Sequence, residues 1–272
     1  MRIAGSIVAI TGAASGIGAA LARELAAAGA RGLVLGDVRE DDVRSVAEAL
    51  GGAAAGVVAV RCDVTREADL QALVKLAEAR FGRIDLFCSN AGLVIDGDEH
   101  TPDEVWRLNW DIHVMANVWA ARAAAPGMLA RGGGTFLVTA SAAGLLSSMP
   151  SASYAVTKHA AIAFAEKLAI DHGDAGLRVS VLCPQAVDTP LMKGRLGKGA
   201  AVDGVATPQA VAACVLEGLE AERFLILPHP KVLDYFRAKA ADYDRWLAGM
   251  RRGLAKLRAL DLAGESSAAG RS

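Results

Sequence analysis

Tyr154 and Lys158 stand four residues apart in Ser153-Tyr154-Ala155-Val156-Thr157-Lys158, and Ser141 lies thirteen positions before the tyrosine. Residues four apart on a helix share a face, so the Lys158 ammonium is expected beside the Tyr154 phenol. A phenol ordinarily titrates near pH 10, and bringing it down by about three units takes roughly 4 kcal/mol of preferential stabilisation of the phenolate. A neighbouring cation acts in that direction. Ser141 closes the apolar run 135–140, which puts it at the carboxyl end of a strand, where open parallel sheets gather their ligands. A hydroxyl there holds a substrate oxygen while the phenol exchanges a proton with it. By itself a Tyr and a Lys at this spacing is more often a surface helix pair. Ser141 and the glycine pattern upstream outweigh that reading.

The elements that must position these groups begin with the short apolar run 7–10, followed by Thr11-Gly12-Ala13-Ala14-Ser15-Gly16-Ile17-Gly18 and then Ile17, Leu21 and Leu25 at helical spacing. This is strand, glycine turn, helix. The glycines let the backbone approach a pyrophosphate at the positive helix amino terminus. A second run, 32–36, ends at Asp37, whose carboxylate is placed to accept from an adenosine ribose and to repel a 2′-phosphate, which selects NAD over NADP. Arg39, two residues on, is the opposing candidate. Further runs end in Asp63-Val64, in Asn90-Ala91-Gly92, at Ser141 and at Pro184, and a seventh strand is predicted at 224–227. Thr101-Pro102-Asp103-Glu104 reads as a capping box opening a long helix to about Leu129. Strands alternating with helices at this spacing imply one Rossmann-type, doubly wound parallel sheet of about seven strands with helices on both faces.

The 272 residues carry a net charge of −1, with Lys and Arg dispersed, which offers no footprint for nucleic acid or an anionic membrane. An apolar share of 53% with 5% aromatics fits Ala- and Gly-rich helices packed closely on a sheet. Cys62, Cys88, Cys183 and Cys214 lack metal-ligand spacing and read as reduced core thiols, and no run approaches a membrane span, so a cytoplasmic protein is expected. A single domain over 1–262 is expected, with a Gly-rich lid over the substrate at about 188–207 and a flexible tail over 263–272.

Thr11-Gly12-x-x-x-Gly16-Ile17-Gly18, Asn90-Ala91-Gly92, Ser141, Tyr154-x-x-x-Lys158 and Pro184, in this order and spacing, resemble the classical short-chain dehydrogenase/reductase family. The resemblance implies hydride exchange between NAD and a small-molecule alcohol or ketone, and a homo-oligomer, a dimer or tetramer. It makes Tyr154 the general acid/base, Ser141 the orienter of the substrate oxygen, and Lys158 the ligand of the nicotinamide ribose that lowers the phenol pKa. The cofactor set it implies is Gly12, Ser15, Gly16, Ile17, Gly18, Asp37, Asp63, Val64, Asn90, Ala91, Gly92, Tyr154, Lys158, Pro184, Val187 and Thr189, the last contacting the carboxamide.

Two positions depart from the family pattern. His113 stands where an Asn is usual, flanked one helical turn away by Asn109 and Asn117, and Gln185 follows Pro184 where Gly is usual. A His keeps the main-chain carbonyl that the family uses to hold a relay water, so His113 joins the catalytic candidates. The substrate is expected to be a rather apolar secondary alcohol or ketone. Leu145, Leu146, Met149, Leu191 and Met192 follow the catalytic strand ends, Tyr235, Phe236 and Trp246 come from the carboxy-terminal stretch, and no Arg or Lys occurs over 142–157. Lys193 and Arg195 in the lid are the counterargument. The alternatives are an NAD-sensing protein that has lost turnover, against which the intact Ser141, Tyr154 and Lys158 speak, and an NAD-recycling epimerase, whose sizeable substrate domain has no counterpart here.

Overall fold

The computed structural model describes residues 1–193 and 201–269. Seven parallel strands, β1 (Ile7–Thr11), β2 (Gly32–Asp37), β3 (Val57–Arg61), β4 (Leu86–Ser89), β5 (Gly134–Thr139), β6 (Leu177–Leu182) and β7 (Leu225–Ile226), form one sheet in the order β3-β2-β1-β4-β5-β6-β7. The order reverses between β1 and β4, the point at which such sheets open a crevice at their carboxyl ends. The α-helices of the described residues are α1 (Gly16–Ala27), α2 (Glu40–Ala49), α3 (Glu67–Phe81), α4 (Asp103–Trp110), α5 (Ala116–Ala130), α6 (Ala152–His172), α7 (Pro208–Glu220), α8 (Lys231–Ala241) and α9 (Tyr243–Ala269). α9 thus continues across 263–269, the first part of the expected tail.

Every residue of β1 and β2 is buried, as expected for parallel strands covered on both faces. Alternate side chains supply two cores. Val8, Ile10 and Leu137 pack with Leu21, Val211 and Val215 on one face, while Ala9, Phe87 and Phe136 pack with Leu73, Ala120 and Ile162 on the other. Phe87 and Phe136 are register partners whose rings stack with centroids 5.4 Å apart. Burial of such side chains is worth about 1.5–3 kcal/mol each. It fixes the register on which the crevice depends.

The helix expected from the capping box differs in detail. Its first residue is Asp103, and Thr101 makes no side-chain cap. The Thr101 N–H instead closes a turn onto the Asp98 carbonyl at 3.2 Å, next to Gly97, whose N–H donates to Pro150 O at 2.9 Å. That turn ties the helix entry to the start of α6 and takes Thr101 out of the capping position. Asp103 and Glu104 still complement the helix dipole. A π-helical turn, Asp111–Met115, then separates α4 from α5. Thr207 does cap α7, accepting from Ala210 N at 3.1 Å, and Ser151 caps α6, accepting from Tyr154 N at 3.3 Å. Among the described residues no helix is long and apolar enough to cross a membrane.

Candidate active site

The carboxyl ends of β1 to β6 open into a cleft of about 1060 Å³. One half is lined by Gly12, Ser15, Gly16, Ile17, Asp37, Asp63, Val64, Asn90, Ala91 and Gly92. Ser141, Tyr154, Lys158, Pro184, Val187 and Thr189 line its middle. Gly18 and His113 are not on the cleft wall; both lie behind it.

Gly12 and Gly16 have φ of +67° and +54°, the left-handed region that favours glycine. A Cβ on Gly12 would stand 2.7 Å from Ala91 Cα, and one on Gly16 would stand 3.0 Å from the Thr189 side chain. Gly18 is closed by Gly12 O and Asn90 Nδ2 in the same way. The turn is a cradle that only backbone can form, at the amino terminus of α1. This fits a dinucleotide pyrophosphate. Asn90 braces it: Nδ2 donates to Thr11 O at 3.1 Å and Gly12 O at 3.3 Å, and Oδ1 accepts from Thr139 Oγ1 at 3.0 Å. Asp37 is buried, with Oδ2 accepting from Ala14 N at 3.0 Å and Oδ1 from Arg39 N at 3.0 Å. The hydrogen bond from Thr65 holds the Asp63 carboxyl below its usual range despite partial burial.

α6 carries Tyr154 and Lys158 on one face, with Nζ 5.5 Å from the phenol ring centroid. Nζ donates to Thr139 O at 2.9 Å, which anchors the helix to the end of β5. Burial pulls the Lys158 ammonium down to about 8. Burial also holds the Tyr154 phenol above its ordinary value, opposed by its hydrogen bond with Ser141. Lowering of the phenol by Lys158 therefore remains a proposal for the cofactor-bound enzyme. Cys183, behind these groups, is pushed up to about 12 by burial and stays a thiol.

His113 sits in the π turn, buried, its ring edge-on to Tyr154 with centroids 5.4 Å apart. Nδ1 lies 2.9 Å from Thr157 Oγ1, and Nε2 accepts from Leu93 N at 3.3 Å. The Thr157 hydroxyl already donates to Ser153 O at 2.8 Å, so it accepts from Nδ1–H, and the imidazole is held as one neutral tautomer. Burial and the Lys158 charge keep its pKa well below the ordinary value. Its main-chain carbonyl, the atom expected to hold a relay water, accepts from Asn117 Nδ2 at 2.6 Å.

The substrate half of the cleft is walled by Leu146, Met149, Leu191 and Met192, as expected, and by Tyr235 and Trp246 from α8 and α9. Two expectations fail here. Leu145 is buried behind the wall, and Phe236 faces outward at 36% exposure, because Tyr235 and Ala238 are the α8 residues turned to the cleft. Met250, in the same carboxy-terminal stretch, also lines the cleft, and sequence reading missed Gly253, Lys256 and Leu257 on α9; their helical spacing was visible, but not the side on which the helix would dock. It also missed Thr139, whose place at a strand end two residues before Ser141 was a usable signal. Of the lid, Val187 bridges Ala206 and Asp188 N donates to Ala206 O at 2.9 Å; Lys193 is exposed, and Gly194, Arg195, Gly197 and Gly199 lie outside the described residues.

Parallel strands bearing a glycine cradle where their order reverses place the chain among the Rossmann-type α/β proteins. A sequence model described as short chain dehydrogenase matches residues 6–198, and the chain is an oxidoreductase belonging to that family. It is 39% identical over 222 residues to the 1-deoxy-11-beta-hydroxypentalenate dehydrogenase of Streptomyces exfoliatus, covering 80% of each chain. It is 30% identical to the D-beta-hydroxybutyrate dehydrogenase of Rhizobium meliloti, over 79% of this chain and 84% of that one. The solved structure of a short chain dehydrogenase/reductase from Burkholderia phymatum in complex with NAD superposes with a TM-score of 0.82 at 31% identity, over 90% of this chain and 96% of that one.

Proposed function

We propose that the chain is an NAD-dependent dehydrogenase or ketone reductase for a rather apolar secondary alcohol, with Tyr154 as general acid/base. The observation that carries this is the meeting of Ser141, Tyr154 and Lys158 between a glycine cradle and an apolar half-cleft. The Burkholderia structure, which holds NAD, supports the cofactor. Gly12, Gly16, Asp37, Asp63 and Asn90 would hold the dinucleotide, which when bound supplies the hydride chemistry. Ser141 orients the substrate oxygen. Tyr154 gives it a proton in reduction, the form that burial of the phenol favours, and takes one in oxidation, when the phenolate is stabilised by the Ser141 hydrogen bond and the Lys158 charge. His113, with no titrating proton near neutrality, positions Leu93 and Thr157 and through them Tyr154.

A hydroxy acid is the second reading. Both dehydrogenase relatives are named for hydroxylated carboxylates, and Lys256 lines the cleft without an ion-pair partner among the described residues. Screening alcohols, ketones and hydroxy acids by absorbance of the reduced cofactor decides between them. The apolar reading expects cyclic alcohols to win. A hydroxy acid that wins and loses its advantage in Lys256→Ala overturns it.

A second copy of this chain is the partner we infer, and exposed Trp110, Val156 and Ile170 on α4 and α6 support an α-helical face for it. Light scattering on wild type and Ile170→Lys tests that. Free thiols at Cys62, Cys88, Cys183 and Cys214 accord with a cytoplasmic setting.

A further inference from the structure

The two carboxy-terminal helices carry a buried cation that the chemistry above does not use. Lys239 on α8 is 7% exposed. Its Nζ donates to Leu145 O at 2.7 Å and Leu146 O at 3.3 Å and faces His159 Nε2 at 3.4 Å. His159 Nδ1 lies 2.8 Å from Ala155 O, a group that only accepts, so Nδ1 carries the proton and the Nε2 lone pair is turned to the ammonium. An ammonium has three N–H donors, and all three are matched. The same Nζ lies 4.9 Å from the Trp246 ring centroid and 5.5 Å from that of Tyr243, within cation–π range.

Two of these contacts, Leu146 and Trp246, are on the wall of the substrate half of the cleft. Leu146 lines it and follows directly from the turn that begins at Ser141; Ala238, next to Lys239, lines it from α8; Trp246 lines it from α9. A Cβ on Gly253 of α9 would stand 3.1 Å from Met149 Sδ, so the helix also sits tightly on the loop after Leu146.

We propose that Lys239 is a positioning residue for substrate selection. It pins α8 and α9 to the Leu145–Leu146 backbone and to α6, and the wall held there contacts the part of a bulky alcohol remote from its hydroxyl. The inference rests on the dehydrogenase reading for its kinetic test, though not for its binding test. Small alcohols, which do not reach the wall, depend on it less.

The probes are borneol, a bicyclic secondary alcohol, and 2-butanol, with the full chain as wild type, Lys239→Met, Lys239→Arg and His159→Leu. Lys239→Met is expected to lower the borneol to 2-butanol ratio of kcat/KM by about tenfold or more, the scale on which apolar pocket contacts discriminate, through KM rather than kcat. Lys239→Arg, which keeps charge and donors, restores most of the ratio. His159→Leu removes one acceptor, moves the ratio the same way, and decides the matter should Lys239→Met fail to fold. In parallel, borneol is titrated into the NADH-loaded proteins by tryptophan fluorescence, where Lys239→Met should weaken binding by a similar factor. Parallel loss for both alcohols, an unchanged ratio in folded variants, or no borneol binding by wild type overturns the proposal. Absence of turnover with borneol binding intact overturns the dehydrogenase reading alone, and the binding comparison then decides for Lys239.

Discussion

Arg39 Nη2 donates to Ser15 Oγ at 2.8 Å, so the side chain that follows β2 reaches back over the glycine turn. The same guanidinium pairs with Asp42 at 3.0 Å and lies 3.6 Å from Asp37 Oδ1. A cation therefore stands at the edge of the adenosine end of the cleft, half exposed and already faced by two carboxylates, while Asp37 is buried beside it. Like-charge repulsion by a buried carboxylate is less screened than attraction by an exposed arginine.

NAD is accordingly expected to be preferred. Asp37→Ala should narrow the gap to NADP by removing the repulsion and freeing Arg39 for a phosphate, while Asp37→Ala with Arg39→Ala should lose the part of that gain that Arg39 supplies. The measurement is kcat/KM for both cofactors. A wild-type preference for NADP would show that Arg39 prevails.

Tyr154→Phe removes one hydroxyl from the centre of the cleft. Turnover should fall by about 10² to 10⁴, the range usual for general acid/base catalysis, while NADH fluorescence reports retained cofactor binding. Near wild-type turnover would reject the assignment.

His113 predicts a pH dependence of stability rather than of rate. Its folded pKa lies well below the ordinary 6.5, so below that value the unfolded chain binds a proton that the folded protein does not. Stability is complete above pH 6.5 and falls as the pH drops toward the folded value, at up to about 1.4 kcal/mol per unit. His113→Asn should flatten this part of the curve, read from urea midpoints between pH 7 and pH 5, and should leave the neutral part of the rate profile in place. A shifted rate profile would mean that the imidazole moves protons.

Gly18→Ala places a methyl group against Gly12 O and Asn90 Nδ2. The turn must shift, at a cost of about 1–3 kcal/mol typical of overpacking, and NADH affinity should fall with it. Titration of NADH together with a urea melt checks both; unchanged affinity would show that the cradle tolerates the shift.

Much of this protein was legible in the chain alone because its information is local. The turn from Gly12 to Gly18 needs glycines where φ is positive and where backbone meets backbone, and α6 brings Tyr154 and Lys158 together through helical pitch alone. Apolar runs ending in Asp37, Asn90 and Ser141 already implied strands delivering polar groups to one edge. Thr101 misled because its pattern was local too, yet a turn onto Asp98 competed for the same backbone. What tertiary structure decided depends on segments far apart in sequence that share no period. His113 became a fixed neutral imidazole only when Thr157 and Leu93 closed on its two nitrogens. Arg39 acquired a reach only when β1 and β2 paired side by side. The side on which α8 and α9 present Tyr235 and Trp246 rather than Phe236 is set by where they dock, and Lys239 finds its three acceptors only there. Helical spacing names a face, but the partner that covers it is chosen by packing through space.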